Sequence, residues 1–173
     1  DHLIDNVFKK NIPLNVDKLR NSKMSLIIPL TNAETGKPRY FSNRSDEDFF
    51  EILRAAMAAP FVYGKLVKIS DEMYFDGSFS DPLPIDIPVI KYSRKIIILT
   101  KPPLNSRKAN TERFLSSMLK WRMKKGVYNA LKDSYSIYNK KMGRIAELEE
   151  QGDIILRPSI KISRFNNSNK AIL

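Results

Sequence analysis

Met73-Tyr-Phe-Asp-Gly-Ser-Phe-Ser-Asp-Pro-Leu-Pro-Ile85 admits two readings, and each implies a different fold. By local propensity Asp76-Gly77 is a hairpin turn, because glycine accepts positive φ and aspartate tolerates turn geometry. On the other reading Met73, Tyr74 and Phe75 form a strand and Asp76 is a carboxylate at its end, where α/β proteins commonly build sites. Gly77 would then let another backbone approach closely, and Pro82, Pro84 and Pro88 would stiffen the segment that follows.

The flanking residues favour alternation of strands and helices. Ser25 to Leu30 is a short apolar run, Asn32 to Pro38 is rich in turn formers, and Arg39-Tyr-Phe41 resumes apolar character, which reads as strand, loop, strand. Ser45 can cap a helix carrying Asp46, Glu47 and Asp48 in its first turn, where carboxylates suit the helix dipole. Phe49, Phe50, Leu53, Ala56 and Met57 recur at helical spacing, and the helix should stop at Ala59, before Pro60. Leu66 to Ile69 and Met73 to Phe75 read as strands around Ser70-Asp71-Glu72.

Lys95-Ile-Ile-Ile-Leu-Thr100 is almost wholly apolar, the pattern of a strand buried on both faces. Two helical patterns follow, from about Thr111 to Lys124 and from Val127 to Glu150. The second sets Val127, Leu131, Tyr135, Tyr138, Met142, Ile145 and Leu148 on one face. Gly152 is a stop signal, and Asp153-Ile-Ile-Leu156 returns to strand character. Alternation of this kind predicts an α/β fold with a mainly parallel central sheet and C-terminal helices.

The formal net charge of +11 on 173 residues is concentrated in one stretch. Between Lys91 and Lys125 stand eleven basic residues against Glu112 alone, whereas residues 1–90 carry a slight acidic excess. Such a window is compatible with nucleic acid, anionic lipid head groups or an acidic partner, and equally with an ordinary solvated, Lys-rich surface, and charge alone does not choose among them. Phe114, Leu115 and Trp121, interleaved with the charges, suit an interfacial helix and a core-facing stripe equally. The residues contain no nucleic-acid recognition motif. A non-catalytic module that binds an anionic membrane or nucleic acid through residues 91–125 is the alternative to an enzyme, and the salt dependence of binding to each polyanion would separate the two.

Several chemistries are excluded by residue type. The chain has no cysteine, and its single histidine is His2. Thiolate metal sites, a cysteine nucleophile and multi-histidine metal sites therefore have no place in it, a Ser-His-Asp triad would need the near-terminal His2 inside the fold and is not expected, and no cofactor is expected. No apolar run reaches the roughly 20 residues of a membrane-spanning helix, which points to a cytoplasmic or peripheral membrane protein. The chain opens on Asp1, within an amphipathic segment that includes Leu3, Ile4, Val7 and Phe8. A fragment or a processed chain is the expectation.

Three runs taken together carry a resemblance. Ala55-Ala-Met-Ala-Ala-Pro60, then Lys65-Leu-Val-Lys-Ile69, then Tyr74-Phe-Asp-Gly-Ser78 with Asp81-Pro-Leu-Pro-Ile85 resemble the distal half of bacterial patatin-like phospholipases. Thr31-Asn-Ala-Glu-Thr-Gly36, Arg144 to Glu149 and Ile154 to Pro158 resemble one bacterial branch of that family. The resemblance implies part of a three-layer α/β/α fold, with residues 1–90 the distal part of the catalytic domain and 91–173 a C-terminal strand and helical extension.

The resemblance also implies a serine acyl hydrolase acting on lipid esters or phospholipids through a Ser-Asp dyad, with no histidine between the two. Asp76 matches the base of the family's Asp-Gly-Gly or Asp-Gly-Ala motif, and Gly77 and Ser78 shape its loop. Ser78 stands where the family usually has Gly or Ala, which sets an extra hydroxyl beside the carboxylate. None of the six glycines begins a G-x-S-x-G elbow. The nucleophile is therefore expected in a preceding part of the same protein, and this chain alone is expected to be inactive. Ser78 and Ser80 lie near Asp76 in sequence, but neither stands on such an elbow.

Overall fold

Residues 2–60, 63–87, 94–100 and 123–159 are described by the computed structural model. They form two compact units. One holds the described residues up to 84 together with 123–138, and the other holds 85–87, 94–100 and 139–159.

In the first unit, the apolar run before the turn formers is β1 (Ile27–Asn32), and β2 (Pro38–Ser42) returns beside it with Ile28 opposite Phe41. Asn32 builds the turn between them: its Oδ1 accepts the backbone N–H groups of Glu34 and Thr35 at 3.0 and 2.9 Å. A second hairpin joins β3 (Val67–Ile69) to β4 (Glu72–Asp76) through Ser70 and Asp71, with Ser70 at φ 54°. The strand order is β2-β1-β4-β3, and every neighbouring pair is antiparallel.

This corrects the expectation of a mainly parallel sheet. Connections as short as these hairpins cannot join parallel strands, which need a crossover of a dozen or more residues. Among the described residues the one parallel pair, β5 (Ile96–Ile98) with β6 (Ile154–Leu156), lies in the second unit.

Leu3–Asn11 winds as a π-helix whose Ile4 is buried, and α1 (Val16–Arg20) is capped by Asn15, which accepts from the Lys18 N–H at 2.8 Å. Helix α2 (Phe49–Ala56) begins at Asp48, whose Oδ1 accepts the Phe50 N–H at 2.8 Å. Ser45, the expected cap, instead uses its hydroxyl to accept the Ser42 N–H in the preceding turn. The helix also ends earlier than Ala59, at Ala56 with Met57 as C-cap.

Phe49, Ile52 and Ala55 of α2 join Leu30, Phe41, Tyr74 and Phe75 of the sheet in one core. Val127, Ala130 and Leu131 belong to the same core and come from α3 (Lys125–Gly143). Each large aliphatic or aromatic side chain buried there contributes about 1.5–3 kcal/mol relative to exposure. Phe41 and Tyr74 meet edge to face, with ring centroids 5.2 Å apart. Gly126 lets α3 seat directly on the β1–β2 turn, because a Cβ there would lie 2.5 Å from the Ala33 carbonyl oxygen.

In the second unit, α4 (Ile145–Glu150) is separate from α3, so the single helical pattern read from Val127 to Glu150 is two helices that break at Arg144. Ile145 and Leu148 are buried, and Gly152 ends the segment at φ 95°. Strand β5 is not buried on both faces: Ile97 is 8% exposed, but Ile96 and Ile98 are 65% and 72% exposed. Lys95 N–H donates to Asp153 Oδ1 at 2.8 Å, and the Leu99 N–H donates to the Leu156 carbonyl at 2.8 Å, which extends the parallel pairing at both ends. The basic window falls largely outside the described residues, as do all but the last two residues of the helix expected from about Thr111 to Lys124 and the side chains of Phe114, Leu115 and Trp121.

Candidate active site

Asp76 is the last residue of β4, which lies inside the sheet between β1 and β3. It pairs in register with Leu30, and its N–H donates to the Ala58 carbonyl at 3.3 Å. The end of the Ala55–Pro60 run and the aspartate are thereby brought together across the fold. The chain then turns into one turn of 3-10 helix, Gly77–Phe79. The Asp-Gly pair therefore does not join two strands, and the hairpin reading of local propensity gives way to a carboxylate at a strand end.

Gly77 is buried where the chain passes β1. A Cβ at this position would stand 2.0 Å from the Pro29 carbonyl oxygen, closer than any side chain can be accommodated. The close backbone approach expected of Gly77 is present. Ser78 donates its backbone N–H to Asp76 Oδ1 at 2.8 Å, so this loop residue meets the carboxylate through its main chain. The half-buried Asp76 has one oxygen tied in this way. Among the described residues no hydrogen-bond donor is assigned to its Oδ2.

Sequence reasoning missed the residues that hold this loop. The Thr31 hydroxyl donates to the Asp76 carbonyl at 2.8 Å and pairs with the Ser80 hydroxyl at 2.8 Å. The Tyr40 hydroxyl donates to Asp81 Oδ2 at 2.5 Å, and the Asp81 N–H donates to the Gly77 carbonyl at 2.8 Å. Thr31, Ser80 and Asp81 are buried. Nothing local marks Thr31, because its partners lie more than forty residues away along the chain. Ser80 is committed to this buried contact, a poor position for attack on a substrate.

A second polar cluster crosses three strands on the same sheet. Glu72 Oε1 accepts from Asn32 Nδ2 at 2.9 Å, and Glu72 Oε2 accepts from the Tyr74 hydroxyl and Arg39 Nη1, each at 2.5 Å. The hydrogen bonds from Tyr74 and Asn32 and the charge of Arg39 outweigh desolvation and hold the Glu72 carboxyl below its ordinary range. Burial, followed by the bond to Glu72, pushes the Tyr74 hydroxyl up. These groups are mutually satisfied, which fits a strap across the sheet. Among the described residues no group of three or more His, Cys, Asp or Glu side chains gathers to hold a metal ion, and no helix is long and apolar enough to cross a membrane.

The family model of the patatin-like phospholipases matches residues 6–89. Over that stretch the chain is patatin-like. The matched segment runs from the π-helix past the Asp-Gly loop, so it contains both hairpins, α2 and Asp76 with its loop. The match places this segment in a family of lipid hydrolases in general. No curated protein and no solved structure matches the chain.

Proposed function

We propose that the patatin-like segment supplies the general base of a serine acyl hydrolase, with Asp76 as that base and Gly77 and Ser78 shaping its loop. The observation that carries this reading is the placement of Asp76: a half-buried carboxylate at the end of an interior strand, with one oxygen fixed by the Ser78 N–H. The substrate class is a lipid ester or phospholipid. The serine stands on a G-x-S-x-G elbow in a part of the protein outside this sequence, which has no such motif, so this chain alone hydrolyses nothing.

In the dyad, Asp76 takes the proton of the serine hydroxyl as the serine oxygen attacks the ester carbonyl carbon. Backbone N–H donors stabilise the resulting oxyanion. Collapse breaks the bond to the alcohol, which leaves with the proton from Asp76. Water, deprotonated by Asp76, then attacks the acyl-serine, and collapse releases the acid as the departing serine oxygen takes the proton back from Asp76. Fixing one carboxylate oxygen leaves the other aimed at a single proton, the orientation on which general-base catalysis depends. The basic window at 91–125 would bring such an enzyme to an anionic lipid surface, as a peripheral rather than a membrane-spanning protein.

In the intact protein, Asp76→Asn should lower the rate of hydrolysis of a short-chain nitrophenyl ester by about 10²–10⁴-fold while the thermal unfolding midpoint is unchanged. Activity within a fewfold of wild type would remove Asp76 from this role.

A further inference from the structure

We propose that Thr31 is a positioning residue for Asp76, holding the carboxylate in place through its backbone; as a statement about catalysis this rests on the dyad reading above. Thr31 is wholly buried on β1, opposite Phe75 in the register with β4. Its single hydroxyl hydrogen goes to the Asp76 carbonyl. The contact with Ser80 at 2.8 Å must then run the other way, with the Ser80 hydroxyl donating to Thr31. One hydroxyl thus grips the loop on both sides of its turn, at the residue that carries the carboxylate and four residues beyond it.

Between those two points the loop closes on itself. The N–H groups of Ser80 and Asp81 both donate to the Gly77 carbonyl, at 3.1 and 2.8 Å, and the Ser78 N–H reaches Asp76 Oδ1. Tyr40, from β2, holds Asp81 at the far end. The β1–β2 hairpin is therefore a clamp on the Asp-Gly-Ser loop, and Thr31 is its central contact. A β-branched residue at this position also has a restricted χ1, so the hydroxyl is aimed before the loop docks.

Thr31→Val keeps the shape and removes the hydroxyl. The Asp76 carbonyl and the buried Ser80 hydroxyl then lose their shared partner, and the loop moves to recover hydrogen bonds. Thr31→Ser keeps both bonds. Amide hydrogen exchange on this 173-residue chain reads the clamp without any catalysis. The Ser78, Ser80 and Asp81 amides should exchange at least about tenfold faster in Thr31→Val than in wild type or Thr31→Ser, with the amides of Ile52 and Leu131 unchanged.

In the intact protein the same substitution should lower kcat about 10- to 100-fold with KM unchanged, and Thr31→Ser should restore it to within a fewfold. Exchange in Thr31→Val matching wild type would overturn the clamp. Accelerated exchange with unchanged kcat would overturn the catalytic role, provided that Asp76→Asn is inactive. An active Asp76→Asn variant would defeat the dyad reading itself and leave the clamp to stand on exchange alone. Should Thr31→Val fail to fold, Ser80→Ala removes one arm of the clamp, and the Ser80 and Asp81 amides must then exchange faster for the proposal to survive.

Discussion

At Gly77 the backbone of β1 occupies the space that any side chain would need, with the Pro29 carbonyl oxygen 2.0 Å from the position of a Cβ. The obstacle is main chain in the interior of a sheet, which cannot swing aside as the end of a flexible side chain does. Gly77→Ala should therefore cost about 1–3 kcal/mol or more, read as a lower urea midpoint with an unchanged m-value. Its effect is not confined to stability, because Gly77 is bonded to Asp76 and any shift of the loop displaces the carboxylate. The sequence made this glycine legible as a place of close approach, since the residue type itself carries that meaning. It could not say which backbone approaches. Pro29 lies far from Gly77 along the chain, and the pairing of β1 with β4 alone brings them together.

Among the elements, α2 and the two hairpins were legible because their signals are local: helical spacing of apolar residues in one case and clusters of turn formers in the other. Their boundaries depend on which side chain wins a backbone hydrogen bond. Ser45 and Asp48 both precede the apolar face, and only Asp48 faces a free N–H of the first turn, that of Phe50. Ser45 is taken up by the Ser42 N–H. Asp48→Ala should therefore destabilise the fold by about 0.5–2 kcal/mol, measured by urea unfolding followed by circular dichroism. A larger loss in Ser45→Ala than in Asp48→Ala would return the cap to Ser45. Strand direction was misread for a related reason. Alternating strands and helices are compatible with either direction, and the short connections that close β1–β2 and β3–β4 decide it.

On the scale of the whole molecule, two carboxylates tie separate elements together. Glu72 joins β4 to Asn32 of β1 and Arg39 of β2, and Asp5 of the π-helix pairs with Arg54 of α2 at 2.8 Å. The hydrogen bond from Arg54, assisted by Lys9, holds the Asp5 carboxyl low, and Glu72 is likewise lowered, first by Tyr74. A carboxylate lowered in the folded state stabilises it above the ordinary carboxylate pKa, and that contribution is lost as pH falls through the lowered value. Acid unfolding between about pH 5 and pH 2 should therefore be shallower in the Glu72→Gln, Asp5→Asn double variant than in wild type. Equal slopes in the two proteins would show that these pairs do not couple folding to protonation. The sequence by itself determined that the chain is mixed α/β, that it holds no cysteine and a single histidine, and that Asp76-Gly77-Ser78 is the stretch to weigh, because composition and motif spacing are local properties. Only the tertiary structure decided that Asp76 ends an interior antiparallel strand and that Thr31 and Tyr40 grip its loop. Those facts depend on hydrogen bonds between residues some forty positions apart, and a linear pattern holds no record of which of them meet.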